Sequence, residues 1–223
     1  MEVKMCRIAV ASVSLLLVLS CSFTPSSDLG KAVAAGNLAE VQRLVAAGAN
    51  PNPPASGREP SPLAWAARTG RIDLMDALLD AGANPELGSG VNGWTPLVHA
   101  VHKGQQGAVE ILLSRTRPGQ EALTAALSMA AGYGTPKTVQ ALLAAGARPD
   151  ADTLTGAVGG VWDIDASWNG CGPHTESVRA LLTASPDLRL PDGAYGRAAL
   201  RFAEKKGCTE MLSLLRGEVR AAR

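Results

Sequence analysis

The sequence predicts an all-α solenoid of about six helix–turn–helix units, with a long insertion in the fifth. A leucine-rich pair recurs along the chain, at Leu44-Val45, Leu78-Leu79, Leu112-Leu113, Leu142-Leu143, Leu181-Leu182 and Leu214-Leu215, at intervals of 34, 34, 30, 39 and 33 residues. A glycine stands eight residues before the pair at Gly36, Gly70, Gly104 and Gly134, and seven before it at Gly207. Apolar content is 46% but aromatics only 4%, so Ala, Val and Leu must make the core. That composition suits closely approaching helices, and a fixed period of this length marks a repeat architecture.

The N-terminus reads as an export signal over 1–20. Lys4 and Arg7 are followed by an uncharged apolar run, Ile8–Leu19. A membrane span needs about 20 residues, so this run is too short to be one. It ends at Val18-Leu19-Ser20-Cys21, which resembles a bacterial lipobox. The resemblance implies cleavage before Cys21, acylation of its thiol and amine, and an outer-membrane anchor facing the periplasm, because Ser22 is not an aspartate. Ordinary cleavage to a soluble periplasmic product is the alternative. Cleavage before Cys21 removes Glu2, Lys4 and Arg7, taking the formal net charge from +1 to zero. A neutral chain offers no general attraction for nucleic acid, and none is expected as a partner. Residues 21–27 then form a short polar tether and 28–216 the repeat domain, followed by a tail at 217–223.

Unit two shows the pattern most clearly. Ser61 is a suitable helix cap, Pro62 fits the first turn, and Leu63, Ala66 and Ala67 share one face. Gly70 closes the first helix, and Ile72–Ala81 carries the second, which Gly82 and Pro85 end. Neither helix buries its apolar stripe alone, so successive units must stack.

The phrases Trp94-Thr95-Pro96-Leu97, Ala66-Ala67-Arg68-Thr69-Gly70 and Ala81-Gly82-Ala83-Asn84-Pro85 resemble the ankyrin repeat. Ala47-Gly48-Ala49-Asn50-Pro51-Asn52 and Ala145-Gly146-Ala147-Arg148-Pro149-Asp150 repeat the last phrase. The resemblance covers roughly 28–216, with the end units degenerate as capping repeats are. It departs at the family's histidine, replaced by Ala64, Val98, Ser128 and Arg201, so the family's hydroxyl–imidazole bonds are expected to be missing. The next position holds Trp65, His99, Met129 and Phe202, read as packing between repeats.

Unit five breaks the period with an insertion over 161–173, after a first helix near Thr153–Val158 and before a second near His174. Trp162, Asp163, Asp165 and Trp168 give it the mixed apolar and acidic character of an interface anchor. Asp163, Asp165, Ser167 and Asn169 alternate like the start of a calcium loop. Trp168 stands where that loop needs glycine and His174 where it needs a bidentate glutamate, so no metal is expected. A metal- or ligand-responsive loop remains the alternative reading. Cys171 and Cys208 occupy corresponding junctions of units five and six, which stacking would bring together, and an oxidising compartment favours a disulfide.

No nucleophile elbow, zinc-binding HExxH, phosphate loop or dinucleotide fingerprint occurs, so neither a cofactor nor catalysis is expected. Ankyrin resemblance implies a protein-binding surface built from loop tips and the exposed side of the first helices. Trp94 and the arginines Arg115, Arg117 and Arg148 on successive tips are the candidate contacts, with the 161–173 loop. The expectation is a monomeric envelope lipoprotein that binds a protein partner, either as an immunity or inhibitor protein or as an accessory factor for a periplasmic enzyme. A scaffold with several partners is the blander alternative.

Overall fold

The computed structural model describes residues 25–53, 59–159 and 170–217. These form twelve helices in six antiparallel pairs. They are α1 (Pro25–Ala34) with α2 (Leu38–Ala46), α3 (Pro62–Thr69) with α4 (Ile72–Asp80), and α5 (Pro96–His102) with α6 (Gln106–Arg115). The series continues with α7 (Gln120–Gly132) and α8 (Pro136–Ala144), α9 (Ala151–Gly159) and α10 (Cys171–Ala184), and α11 (Ala194–Lys206) and α12 (Thr209–Leu215).

The pairs stack in two rows. α1, α3, α5, α7, α9 and α11 each pack on the next first helix, and α2, α4, α6, α8, α10 and α12 form the parallel row of second helices. This is the all-α repeat solenoid that the 34-residue spacing requires, since each pair buries its stripe only against neighbours.

The second pair shows how sequence makes the unit. Ser61 is extended, and its hydroxyl accepts a bond from the Ala64 amide at 3.2 Å. Leu63, Ala66 and Ala67 are fully buried or nearly so. Gly70 ends α3 at φ 69°, in the left-handed region, where a Cβ would also collide with the Gln105 side chain of the next unit. Leu74, Met75 and Leu78 then carry the buried face of α4. Equivalent leucines, Leu44, Leu112, Leu142 and Leu181, continue one core along the stack.

Polar groups join the units where apolar contact ends. The Asn52 amide donates to Gly82 O at 2.9 Å, and its oxygen accepts from the Asn84 amide at 2.6 Å. Arg71 donates to Gly36 O at 3.0 Å, and Thr138 to the Gln106 side-chain oxygen at 2.7 Å.

Two boundaries differ from the sequence reading. α1 begins at Pro25, so the last three residues of the expected 21–27 tether are helical. Proline is accommodated at a first helical position because its missing N–H has no intrahelical carbonyl to serve. α10 begins at Cys171, inside the expected 161–173 insertion and three residues before His174, while 160–169 lie outside the described residues. Pro173 falls in the first turn, where its lack of an N–H removes no helix bond.

Cys171 and Cys208 are bridged, with 5.4 Å between their Cα atoms. The bond fastens the start of α10 to the residue capping α12, across the last two units.

Candidate protein-binding face

A cluster of aromatic and imidazole rings runs along the first-helix row at units three and four. A short hairpin precedes α5, closed by the Ser89 amide donating to Trp94 O at 3.0 Å, with Gly90 and Gly93 at positive φ. It is tied to unit two through the Gly90 amide and Glu59 O, and through the Ser61 amide and Ser89 Oγ at 2.9 Å. The hairpin lays the Trp94 indole edge-on to His99, with centroids 5.6 Å apart, and against His102 at 4.9 Å. Trp94 is half-buried, partly packed on the core and partly open.

His102 carries the cluster into the next unit. Its Nδ1 lies 2.7 Å from the Tyr133 hydroxyl, and the two rings are 6.0 Å apart. Trp94, His102 and Tyr133 therefore form one half-buried ridge from the unit-three hairpin to the end of α7.

Two cations, Arg68 and Lys103, act on the His102 ring of the ridge. Burial holds the His102 imidazole below its ordinary pKa, and repulsion from Lys103 and Arg68 lowers it further. His99 is lowered mainly by burial, against which its long contact with Ser89 O at 3.5 Å raises it slightly. Burial pushes the Tyr133 phenol up. Neither Arg68 nor Lys103 belongs to an ion pair among the described residues. A small groove, lined by Gly30, Ala34, Glu59, Pro60, Pro62 and Trp65, opens between α1 and α3 on the same row.

The sequence candidates divide sharply. Trp94 lies in the ridge. Arg115 does not act as a free tip cation, because its guanidinium binds Asp76 and Asp80 of α4, each at 2.5 Å. It ties neighbouring second helices together, so a partner would meet it as a paired cation on the second-helix row. Arg117 and Arg148 are exposed in the α6–α7 and α8–α9 turns and in no ion pair among the described residues. Cys21, Trp162, Asp163, Asp165 and Trp168 lie outside the described residues. Of the row read as packing, His99 is buried, while Trp65, Met129 and Phe202 are half-buried, the first two against the core.

Arg68, His102, Lys103 and Tyr133 were missed by the sequence reading. Their shared signal is position, one or two residues before the glycine that ends the first helix, in Arg68-Thr69-Gly70, His102-Lys103-Gly104 and Tyr133-Gly134. No group of three or more His, Cys, Asp or Glu side chains placed to hold a metal occurs among the described residues. No helix among them is long and apolar enough to cross a membrane.

Comparison with known proteins places this geometry. Residues 29–122 match the family profile for ankyrin repeats, in three copies. The fold is similar to that of the ankyrin repeat protein EF0377, at 22% identity and a TM-score of 0.68 over 86% of this chain and 97% of that one. An ankyrin repeat domain from Acinetobacter baumannii AYE is similar at 22% identity and a TM-score of 0.67, over 85% of this chain and 96% of that one. No curated protein matches the chain. The fold is an ankyrin-repeat solenoid, typically a non-enzymatic scaffold through which proteins bind one another.

Proposed function

We propose that this chain is a lipoprotein of the cell envelope, anchored through Cys21 to the outer membrane and facing the periplasm, whose solenoid holds a protein partner as an immunity or inhibitor protein or as an accessory factor for a periplasmic enzyme. The observation that carries the binding role is the half-buried ridge of Trp94, His102 and Tyr133 with Arg68 and Lys103 unpaired beside it. Aromatic rings with a polar edge supply contact area at small entropic cost, and hot spots are enriched in Trp, Tyr and Arg. The bridge between Cys171 and Cys208 supports an oxidising compartment, since structural disulfides persist there and are rare in the cytosol. The lipobox-like Val18–Cys21 supports the anchor.

Two experiments test the reading. Incorporation of labelled palmitate, abolished by Cys21→Ala, is expected; equal labelling of both forms would remove the anchor. Affinity capture of the native protein should yield one dominant partner that is lost with Trp94→Ala/Tyr133→Ala while the variant remains folded. An immunity or inhibitor protein will silence that partner, whereas an accessory factor will raise its activity or abundance. Capture indifferent to both substitutions would move the partner off this face.

A further inference from the structure

The two rows of helices differ in charge as well as in place. Carboxylates are concentrated on the second helices, at Glu40, Asp73, Asp76, Asp80, Glu110, Glu176 and Glu210. Most are matched there, Glu40 by Arg43, Asp73 by Arg71, Asp76 and Asp80 by Arg115, and Glu176 and Glu210 by Arg179. That row keeps a net negative charge, because Arg115 and Arg179 each serve two carboxylates and Glu110 belongs to no ion pair among the described residues.

The first helices of units two and three are the opposite. Neither α3 nor α5 contains a carboxylate. Between them they present Arg68 at the end of α3, and His102 and Lys103 at the end of α5. Lys103 is exposed and Arg68 half-buried. α3 and α5 pack directly on one another, so the ends that carry Arg68 and Lys103 lie on one part of the row, and both cations act on His102. A cation left unpaired beside half-desolvated rings gains more from an added carboxylate than one in open water, because the local dielectric is lower.

We propose that the face of α3 and α5 docks a carboxylate-rich segment of a protein partner, its acids seated on Arg68 and Lys103 and its backbone or side chains lying against Trp94, His102 and Tyr133. This rests on the reading of the first-helix row as the partner surface and adds the chemistry of what it takes. A polypeptide rather than a phosphate polymer fits, because the two cations accompany a ridge of rings instead of extending into a long basic track. His102 contributes as a neutral hydrogen-bonding ring held in place by Tyr133.

The test uses the full chain in detergent and a labelled oligoglutamate peptide, with oligolysine and a single-stranded DNA oligonucleotide as comparators. Oligoglutamate should bind, more weakly as salt rises, and Arg68→Glu/Lys103→Glu should weaken it about tenfold or more. Lys205→Glu/Lys206→Glu, the same charge change in unit six, should leave it within about twofold, as expected for a rim charge remote from the contact. Equal loss in both variants, no loss in either, or tighter Arg68- and Lys103-dependent binding of DNA would overturn the proposal. A photo-crosslinker at Thr69, exposed beside Arg68, separates the two readings. If it labels a partner while oligoglutamate fails to bind, the partner surface stands and its acidic specificity falls; if neither occurs, both fall.

Discussion

His102 Nδ1 stands 2.7 Å from the hydroxyl of Tyr133, a hydrogen bond that joins the third helix pair to the fourth and holds the ridge together. The Tyr133→Phe variant removes the hydroxyl with little change of shape. A net loss of about 1 kcal/mol is expected from one side-chain hydrogen bond, read as a lower urea midpoint at unchanged slope. An unchanged midpoint would show that the ring contacts alone order His102.

Stability should fall on acidification from neutral pH. His99, His102 and His174 are all held below the ordinary histidine pKa, chiefly by burial. A depressed pKa means that the unfolded chain binds more protons than the native one between the ordinary value, about 6.5, and the folded values. Their contribution is complete above that range, declines as pH drops through 6.5, and stops declining below the folded values. Thermal midpoints from pH 7.5 to 5 should show this decline, and His102→Gln should reduce it. A flat profile over that interval would contradict the burial of these rings.

Thr95 carries a buried hydroxyl with no hydrogen-bond partner, and it makes no cap bond to α5. Val98 occupies the position where an ankyrin repeat has histidine, and a valine cannot answer that hydroxyl. Thr95→Val should therefore stabilise the protein, by about 1 kcal/mol, because an unsatisfied polar group is removed without a change of shape. Destabilisation would show that the hydroxyl has a partner.

These expectations show where sequence and structure part. The repeat was legible because stacking imposes a period, and Leu44, Leu78, Leu112, Leu142 and Leu181 all reach the core the period assigns them. The cap at Ser61 and the left-handed Gly70 were equally legible, since each follows from local backbone chemistry. The meeting of Cys171 with Cys208 follows from stacking of equivalent junctions. Arg115 was not legible as a clamp, because its acids sit 39 and 35 residues away on a neighbouring helix. The Trp94–His102–Tyr133 ridge was hidden for the same reason. It depends on how a hairpin leans on one helix and where the next unit ends, neither of which a period encodes.

Arg115→Ala separates the clamp from the partner surface. It should cost little stability, because exposed ion pairs contribute modestly, and the difference should shrink as salt is raised. Partner capture should be unchanged. Loss of capture by a folded Arg115→Ala protein would return this residue to the interface.

Removing the Cys171–Cys208 bridge with paired serines opens a loop of 37 residues. Chain-entropy reasoning places the cost at about 3–4 kcal/mol. The loss should localise to the C-terminal units, because each unit is supported by its neighbours. Hydrogen exchange should then speed up in α11 and α12 while α3 to α6 keep their protection. Uniform acceleration along the stack would show that the bridge supports the whole solenoid.

In the proposed function the first-helix row of units two to four holds the partner. Site-specific photo-crosslinking measures this most directly, with the reactive group placed in turn at Thr69 on α3 and at Glu110 on α6, both exposed and on opposite rows. Labelling of one partner from Thr69 and none from Glu110 is the predicted result. Labelling from Glu110 with none from Thr69 would contradict the account and place the partner on the second helices.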